Sequence, residues 1–315
     1  MRFYKYAMIA EFLVALGMFL FVSLGEPAFA QLDEFDITNS LIDVNDFIGG
    51  GPEKDGIPFI DEPVFVSAKK ADFLKDDDNV IGVSIGKEAR AYPLKILNWH
   101  EVVNDVIAGM PIAVTWCPLT KSAVVFEREI DNEVLTFGVS GLLYNSNLVF
   151  YDRNSNSLWP QLALGAVTGK FSSQNIPVIP SRVVTWRQWK KEHHQTLLLS
   201  GKTGFPRDYS RDPYAEYHRS EHAMFPLKHA DTRLPPKTLV IGIEVEGIAK
   251  AYSIDLIKNK SKPVEDTIGL LKIKIFAGSD NTAYITDEED DLLPAVTMYW
   301  FAWSSFNRGT LLYGE

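Results

Sequence analysis

Val80-Ile81-Gly82-Val83-Ser84-Ile85-Gly86-Lys87-Glu88-Ala89-Arg90-Ala91-Tyr92 decides how this chain reads, because a close copy of it follows 160 residues later. There Val240-Ile241-Gly242-Ile243 runs on to Ala249-Lys250-Ala251-Tyr252, and six of the eighteen positions 80–97 are identical without a gap. Self-similarity at one fixed spacing marks a repeated structural unit. One inserted residue later the match resumes. Asp105 meets Asp266, Ile107 meets Ile268, and Ile112 and Val114 meet Ile273 and Ile275. Each copy reads as a strand, a tight turn at Gly86-Lys87 or Glu246-Gly247, a second strand, a short helical turn and a further strand pair.

Between the copies, alternating apolar runs predict strands over 122–128, 133–139 and 147–151, with turn residues at Asp131-Asn132 and Asn154-Ser155-Asn156. A helix is expected over 185–194. Strand segments outnumber helical ones and the hairpin spacing favours antiparallel pairing. The expectation is therefore an α+β, β-rich fold with mostly antiparallel sheets in two related lobes from an internal duplication. The first lobe spans 80–235 and the second, degenerate lobe 236–315. Residues 31–79, with Gly49-Gly50-Gly51-Pro52 and Gly56-Ile57-Pro58, read as a segment that wraps the body, because Phe59, Ile60, Val64 and Phe65 are too apolar for a solvated tail.

The 315 residues are 46% hydrophobic and 23% charged, ordinary globular proportions that exclude disorder and fibrous repeats. Lys and Arg number 31 against 41 Asp and Glu, a net charge of −10 that argues against nucleic acid as a partner. Arg2 and Lys5 precede an apolar run from Met8 to Gly25, and Ala28-Phe29-Ala30 offers small residues for signal peptidase. Residues 1–30 therefore read as a signal peptide and Gln31 as the mature start, which places the protein in the periplasm or outside the cell. The alternative is an uncleaved anchor. With cleavage, no stable membrane insertion is expected. In such a compartment the single cysteine, Cys117, can form no internal disulfide, so it is either buried or used.

Three segments of the first lobe gather polar groups that a core would not want: Asn98 to Asp105, Trp116 to Ser122, and Ser140 to Ser146. Cys117 ends the apolar run Ile112 to Trp116, with Pro118 stopping the strand, so its thiol is expected in a turn at a strand end. In the second copy Lys258 to Ser261 stands where Asn98 to Glu101 does, and Gly278 where Cys117 does, so any chemistry belongs to the first copy.

Ala89-Arg90-Ala91-Tyr92-Pro93, Asn98 to Asp105, Cys117-Pro118-Leu119-Thr120, Phe137 to Ser146, Tyr151-Asp152-Arg153, Leu158-Trp159 with Gln161, Asp212-Pro213-Tyr214 and Trp300-Phe301-Ala302-Trp303 are motifs of a known kind. Over nearly the whole mature chain the sequence resembles the extracytoplasmic bacterial and archaeal proteins grouped as domain of unknown function 3179. Many members of that family carry a second cysteine at the position of Thr120. Its absence here argues against a dithiol redox centre or a two-thiolate metal site. The resemblance implies no reaction.

From the residues, the sharpest chemical candidate is Cys117 with His100 as activating base, Glu101 or Asn104 as orienting group, and Ser140 or Asn145 as oxyanion donors. The plain alternative is a buried, inert cysteine. The same Cys117 and His100 could instead hold copper or zinc, and His218, His222, Met224 and His229 form a second candidate metal cluster. A third reading is a non-catalytic module for a small molecule or cell-envelope ligand. Its pocket would draw on Trp99, Thr120, Ser140, Tyr144, Asn145, Ser146, Asp152, Arg153, Trp159 and Gln161, though aromatics at this density also serve core packing. No nucleotide-binding or hydrolase motif occurs, so no nucleotide cofactor is expected.

Overall fold

The computed structural model describes residues 29–258 and 260–315, so most of the expected signal segment lies outside the described residues. The opening stretch forms an antiparallel hairpin, Asn79–Ile85 with Glu88–Pro93, turned at Gly86 with φ 58°. Its copy forms Leu239–Val245 with Ile248–Ser253, turned at Glu246 and Gly247 with φ 50° and 78°. Glycine takes this left-handed backbone freely, which is why these turns sit where they do.

Both hairpins gain the same neighbours. Ser181–Thr185 adds antiparallel to the first and Leu197–Leu199 adds parallel on its other edge, with Phe65–Ser67 outside it. Val296–Tyr299 and Leu311–Leu312 take the corresponding places beside the second. A helix follows each antiparallel neighbour, Trp186–Glu192 and Trp300–Phe306. The indoles of Trp189 and Trp303 lie flat on Gly82 and Gly242, where a Cβ would stand 2.3 Å from a ring carbon. Their Nε1 groups donate to Thr196 at 2.9 Å and Thr310 at 2.8 Å. Tyr92 donates to Asp105 at 2.6 Å, and Tyr252 to Asp266 at 2.7 Å.

Three further sheets of three or four strands follow, beside a two-stranded ribbon of Glu129–Ile130 with Glu133–Val134. One orders Val178–Ile179, Ser122–Glu127, Met110–Cys117 and Val102–Ile107. Another orders Val264–Ile268, Leu271–Ala277 and Ala283–Thr286. The last orders Phe47–Gly49, Phe137–Tyr144, Asn147–Asp152 and Leu158–Pro160. The five larger sheets stand in an arrangement resembling a five-bladed propeller, and the fold is β-rich, mostly antiparallel and only 13% helical. Helices are thus a smaller part than an α+β description implies. Residues 133–139 do not run as one strand. The buried Arg128 guanidinium donates to the carbonyls of Ile112, Leu135 and Asp105, and the chain leaves the ladder between Val134 and Phe137.

The core is aromatic where the blades meet. Phe137 packs edge-on against Phe150 at 4.9 Å and Trp159 at 5.7 Å, all fully buried. Each such side chain stabilises the fold by about 1.5–3 kcal/mol through the apolar surface it removes from water. Leu32, Phe35, Phe47 and Ile60 of the segment before the first hairpin are buried as well. Among the described residues, no helix is long and apolar enough to cross a membrane.

Candidate functional site

The strand Met110–Cys117 ends at the cysteine, Pro118 cannot continue the ladder, and the chain returns through Lys121, φ 54°, into Ser122–Glu127. Cys117 is therefore at a strand end, but its thiol is sealed, with the residue 1% exposed among Leu119, Tyr214 and Tyr217. Burial pushes the thiol up to about 11, the Glu101 carboxylate adding to it, against hydrogen bonds from Thr120 and Leu148. A nucleophilic thiolate needs the opposite surroundings.

His100 does not serve this thiol. Its Nδ1–H donates to the Pro58 carbonyl at 2.6 Å, and its Nε2 accepts the Tyr209 hydroxyl at 2.7 Å. Both nitrogens are occupied, and burial pushes the ring down to about 4, so the imidazole is neutral. Glu101 is the residue that faces Cys117. The short helix Leu94–Leu97 ends as the Leu97 carbonyl takes the amide of Glu101 at 2.8 Å, with Glu101 left-handed at φ 56°. Such a backbone costs a non-glycine residue about 1–2 kcal/mol. Burial pushes the Glu101 carboxyl up to about 8, its polar neighbour being the Tyr214 hydroxyl at 3.4 Å.

Most of the other polar candidates are absorbed by internal hydrogen bonds. Asn104 holds both main-chain groups of Phe137, accepting its N–H at 3.0 Å and donating to its carbonyl at 2.8 Å, and also donates to Asp61. Thr120 and Gln161 belong to a fully buried network with Ser122, Asn147 and Thr115, in which Gln161 accepts from Ser122 at 2.6 Å and donates to Thr115 at 2.9 Å. Asp152 takes the Trp159 indole and Ser155. Ser140 bonds Val149, and Ser146 bonds Phe225. Asn145 and Ser146, with φ 50° and 60°, are the turn between Phe137–Tyr144 and Asn147–Asp152. Tyr144 packs on Phe47 and Phe306, and Arg153 pairs with Asp61 over the Phe59 ring.

A groove of about 740 Å³ opens beside the Cys117-Pro118 turn, a volume suited to a small ligand. Asn98, Trp116 and Lys121 line it from the segment that follows the first hairpin. Tyr209, Arg211, Asp212 and His218 line it from the segment between the two hairpins, and Asp280, Asn281, Thr282 and Thr297 from the segment after the second. A chain of contacts orders its floor. The Trp116 indole donates to Asn98 at 2.8 Å, and Asn98 donates to Asp212 at 3.0 Å. His218 stands 3.6 Å from Asp212 and donates through Nε2 to the Pro118 carbonyl at 3.0 Å. Burial works against the Asp212 charge, yet His218, the Tyr214 amide and Lys121 hold its carboxyl below the ordinary range. Trp99, a candidate from the sequence, lies at the rim, donating to the Arg211 carbonyl at 3.2 Å.

His218 is therefore a groove residue, while His222 and His229 are exposed and outside it. Among the described residues no group of three His, Cys, Asp or Glu is placed to hold a metal ion. That corrects the candidate metal cluster at 218–229, whose helix, Ala215–Arg219, ends before His222. It also leaves Cys117 with His100 short of ligands for copper or zinc. Asn98, Trp116 and Lys121 fall in the polar segments 98–105 and 116–122, with Trp116 among the aromatics that could floor a pocket, whereas Arg211 and Asp212 were not singled out by residue chemistry. The signal that could have found some of them was the family motifs, which contain Asn98 and Asp212.

Fold and groove define a β-rich protein of propeller-like arrangement with a polar cleft at the end of its Cys117 strand. Residues 54–292 match the model of a family described as protein of unknown function, DUF3179, and the chain belongs to that family. No curated protein matches the chain, and no solved structure does.

Proposed function

We propose that this protein is an exported, non-catalytic binding module that holds a small polar molecule in the groove between Asn98, Trp116, Asp212 and His218. The observation that carries it is the ordered floor of that groove, where the Trp116 indole donates to Asn98, Asn98 donates to Asp212 and His218 stands 3.6 Å from Asp212, beside an open volume of about 740 Å³. Preorganised polar groups in a concave site are what orient a ligand. Thiol catalysis through Cys117 and His100 draws no support from their placement, since the thiol is buried and the imidazole is bonded elsewhere. Export rests on the charged and apolar pattern of residues 1–30.

The test uses the indole N–H signals of the seven tryptophans in a ¹⁵N-labelled sample. Titration with glucose, glucuronate and inorganic phosphate should shift Trp116 and leave Trp186 and Trp300, both buried away from the groove, in place. Ser210→Trp, which puts an indole into the groove from an exposed loop, should remove the shift. No movement of Trp116 with any of the three, or equal movement in Ser210→Trp, would overturn the proposal.

A second reading has one observation in its favour. Glu101 is a buried carboxyl on a left-handed backbone, pushed up to about 8 and so mostly protonated near neutrality, as a general acid would be. Its placement behind Tyr214 rather than along the groove makes the binding reading the stronger one.

We also infer that the two hairpin sheets descend from one duplicated unit. Supporting this are the shared strand order, the Trp-over-Gly contacts at Gly82 and Gly242, and the Trp-to-Thr and Tyr-to-Asp hydrogen bonds repeated in each.

A further inference from the structure

Overall the chain is acidic, at −10, but in the groove lining the cations without an ion-pair partner outnumber the carboxylates without one. Lys121, Arg211 and Lys75 line it and form no ion pair among the described residues, whereas Asp78 is taken by Lys95 at 2.6 Å and Asp212 by Asn98 and His218. Asp280 is the remaining carboxylate of the lining, and it accepts from the amide and hydroxyl of Thr282. Lys121 is half-buried, with its ammonium 5.6 Å from the centre of the Tyr299 ring. Lys237 lies over the same ring at 5.1 Å. Lys237 is nearer the Tyr217 ring, at 3.7 Å, and Asp212 is the carboxylate that attracts Lys121. Lys237 lies outside the groove lining, where it donates to the Tyr217 carbonyl, and burial together with the charge of Lys121 pushes it down to about 8.

The remaining lining is neutral and rich in hydrogen-bonding groups: Asn79, Asn98, Asn281, Thr282 and Thr297. Such groups suit hydroxyls, while an unpaired cation suits a single acidic group.

Building on the groove proposal, we infer that its ligand is a small hydroxyl-rich molecule bearing one acidic group, which is seated on Lys121 and Arg211. The hydroxyls face the asparagine and threonine wall contributed by the regions of both hairpins. The site therefore needs both halves of the chain.

Calorimetric titration of the full chain with glucuronate and with glucose tests this. Glucuronate should bind about tenfold more tightly than glucose, the factor that one charge-assisted hydrogen bond of about 1.4 kcal/mol supplies. Lys121→Gln should erase most of that preference, and Arg211→Gln, on an exposed loop, should reduce it too. Added salt should narrow it. Equal affinities for the two sugars, unchanged by either substitution, would overturn the acidic-group inference while leaving the groove in place. Failure of both sugars to bind, or binding that survives Ser210→Trp, would instead remove the groove reading and this inference with it. Thermal melting of each variant separates lost binding from lost folding.

Discussion

The main-chain carbonyl of Glu101 accepts the amide of Trp116 at 2.8 Å, and the Glu101 side chain lies beside the thiol of the next residue, Cys117. A carboxylate there raises the cost of a thiolate instead of lowering it. Cys117 should accordingly react with iodoacetamide about two orders of magnitude more slowly in the folded protein than in concentrated urea near pH 8, given a thiol near 11 against a free value of about 8.5. Labelling in the folded state at the rate of a free thiol would contradict this.

Glu101 makes the stability of the fold depend on pH. Its carboxyl titrates near 8 when folded against 4.5 in a model peptide, so the folded protein keeps a proton that the unfolded chain has lost. Stability then falls as pH rises from 4.5 towards 8, by at most about 1.4 kcal/mol per unit. His100 acts in the opposite direction. Held neutral down to about 4, it costs stability as pH falls from 6.5 towards 4. Urea melts of Glu101→Gln should gain on the parent steadily between pH 5 and 8. Parallel curves for the two proteins would rule out a desolvated carboxyl at this position.

Gly82 and Gly242 each lie under an indole, and a methyl group at either would stand 2.3 Å from a carbon of Trp189 or Trp303. Because the buried ring has nowhere to move, Gly82→Ala and Gly242→Ala should each destabilise the fold by about 1–3 kcal/mol. Similar losses in chemical denaturation would fit equivalent packing in the two units. A neutral substitution at either position would not.

Gln161 was a candidate ligand group in the sequence, and its hydrogen bonds make it a structural one. It joins Ser122, Asn147 and Thr115 with no exposed atom. Gln161→Leu leaves those partners unpaired in the interior and should cost about 2–3 kcal/mol, with affinity for the groove ligand unchanged. Loss of affinity at full stability would return Gln161 to the binding site.

Local structure was legible where one residue dictates one backbone. Gly86 and Gly247 turn the hairpins, Pro118 ends its strand, and Thr185 caps the helix Trp186–Glu192 by accepting from Gln188. The propeller-like arrangement was not legible, because alternation within a strand says which face is apolar and not which sheet covers it. The site was half legible for a related reason. His100 and Glu101 are neighbours, and the left-handed backbone at Glu101, unusual for a residue that is not glycine, decides that the carboxyl and not the imidazole meets Cys117. His218 stood out in the sequence only as one member of the candidate metal cluster with His222, Met224 and His229. Its partner Asp212, six residues earlier, came near it through the turn at Asp212–Tyr214, where the Asp212 carboxylate accepts the Tyr214 amide at 2.9 Å.

The most direct test sets the groove against the thiol. Glucuronate affinity should be measured side by side on the parent protein, Cys117→Ser and Ser210→Trp, each confirmed folded by melting. Binding that is unchanged in Cys117→Ser and lost in Ser210→Trp is the expected result. Binding lost in Cys117→Ser and kept in Ser210→Trp would contradict the account and place the function at the buried cysteine.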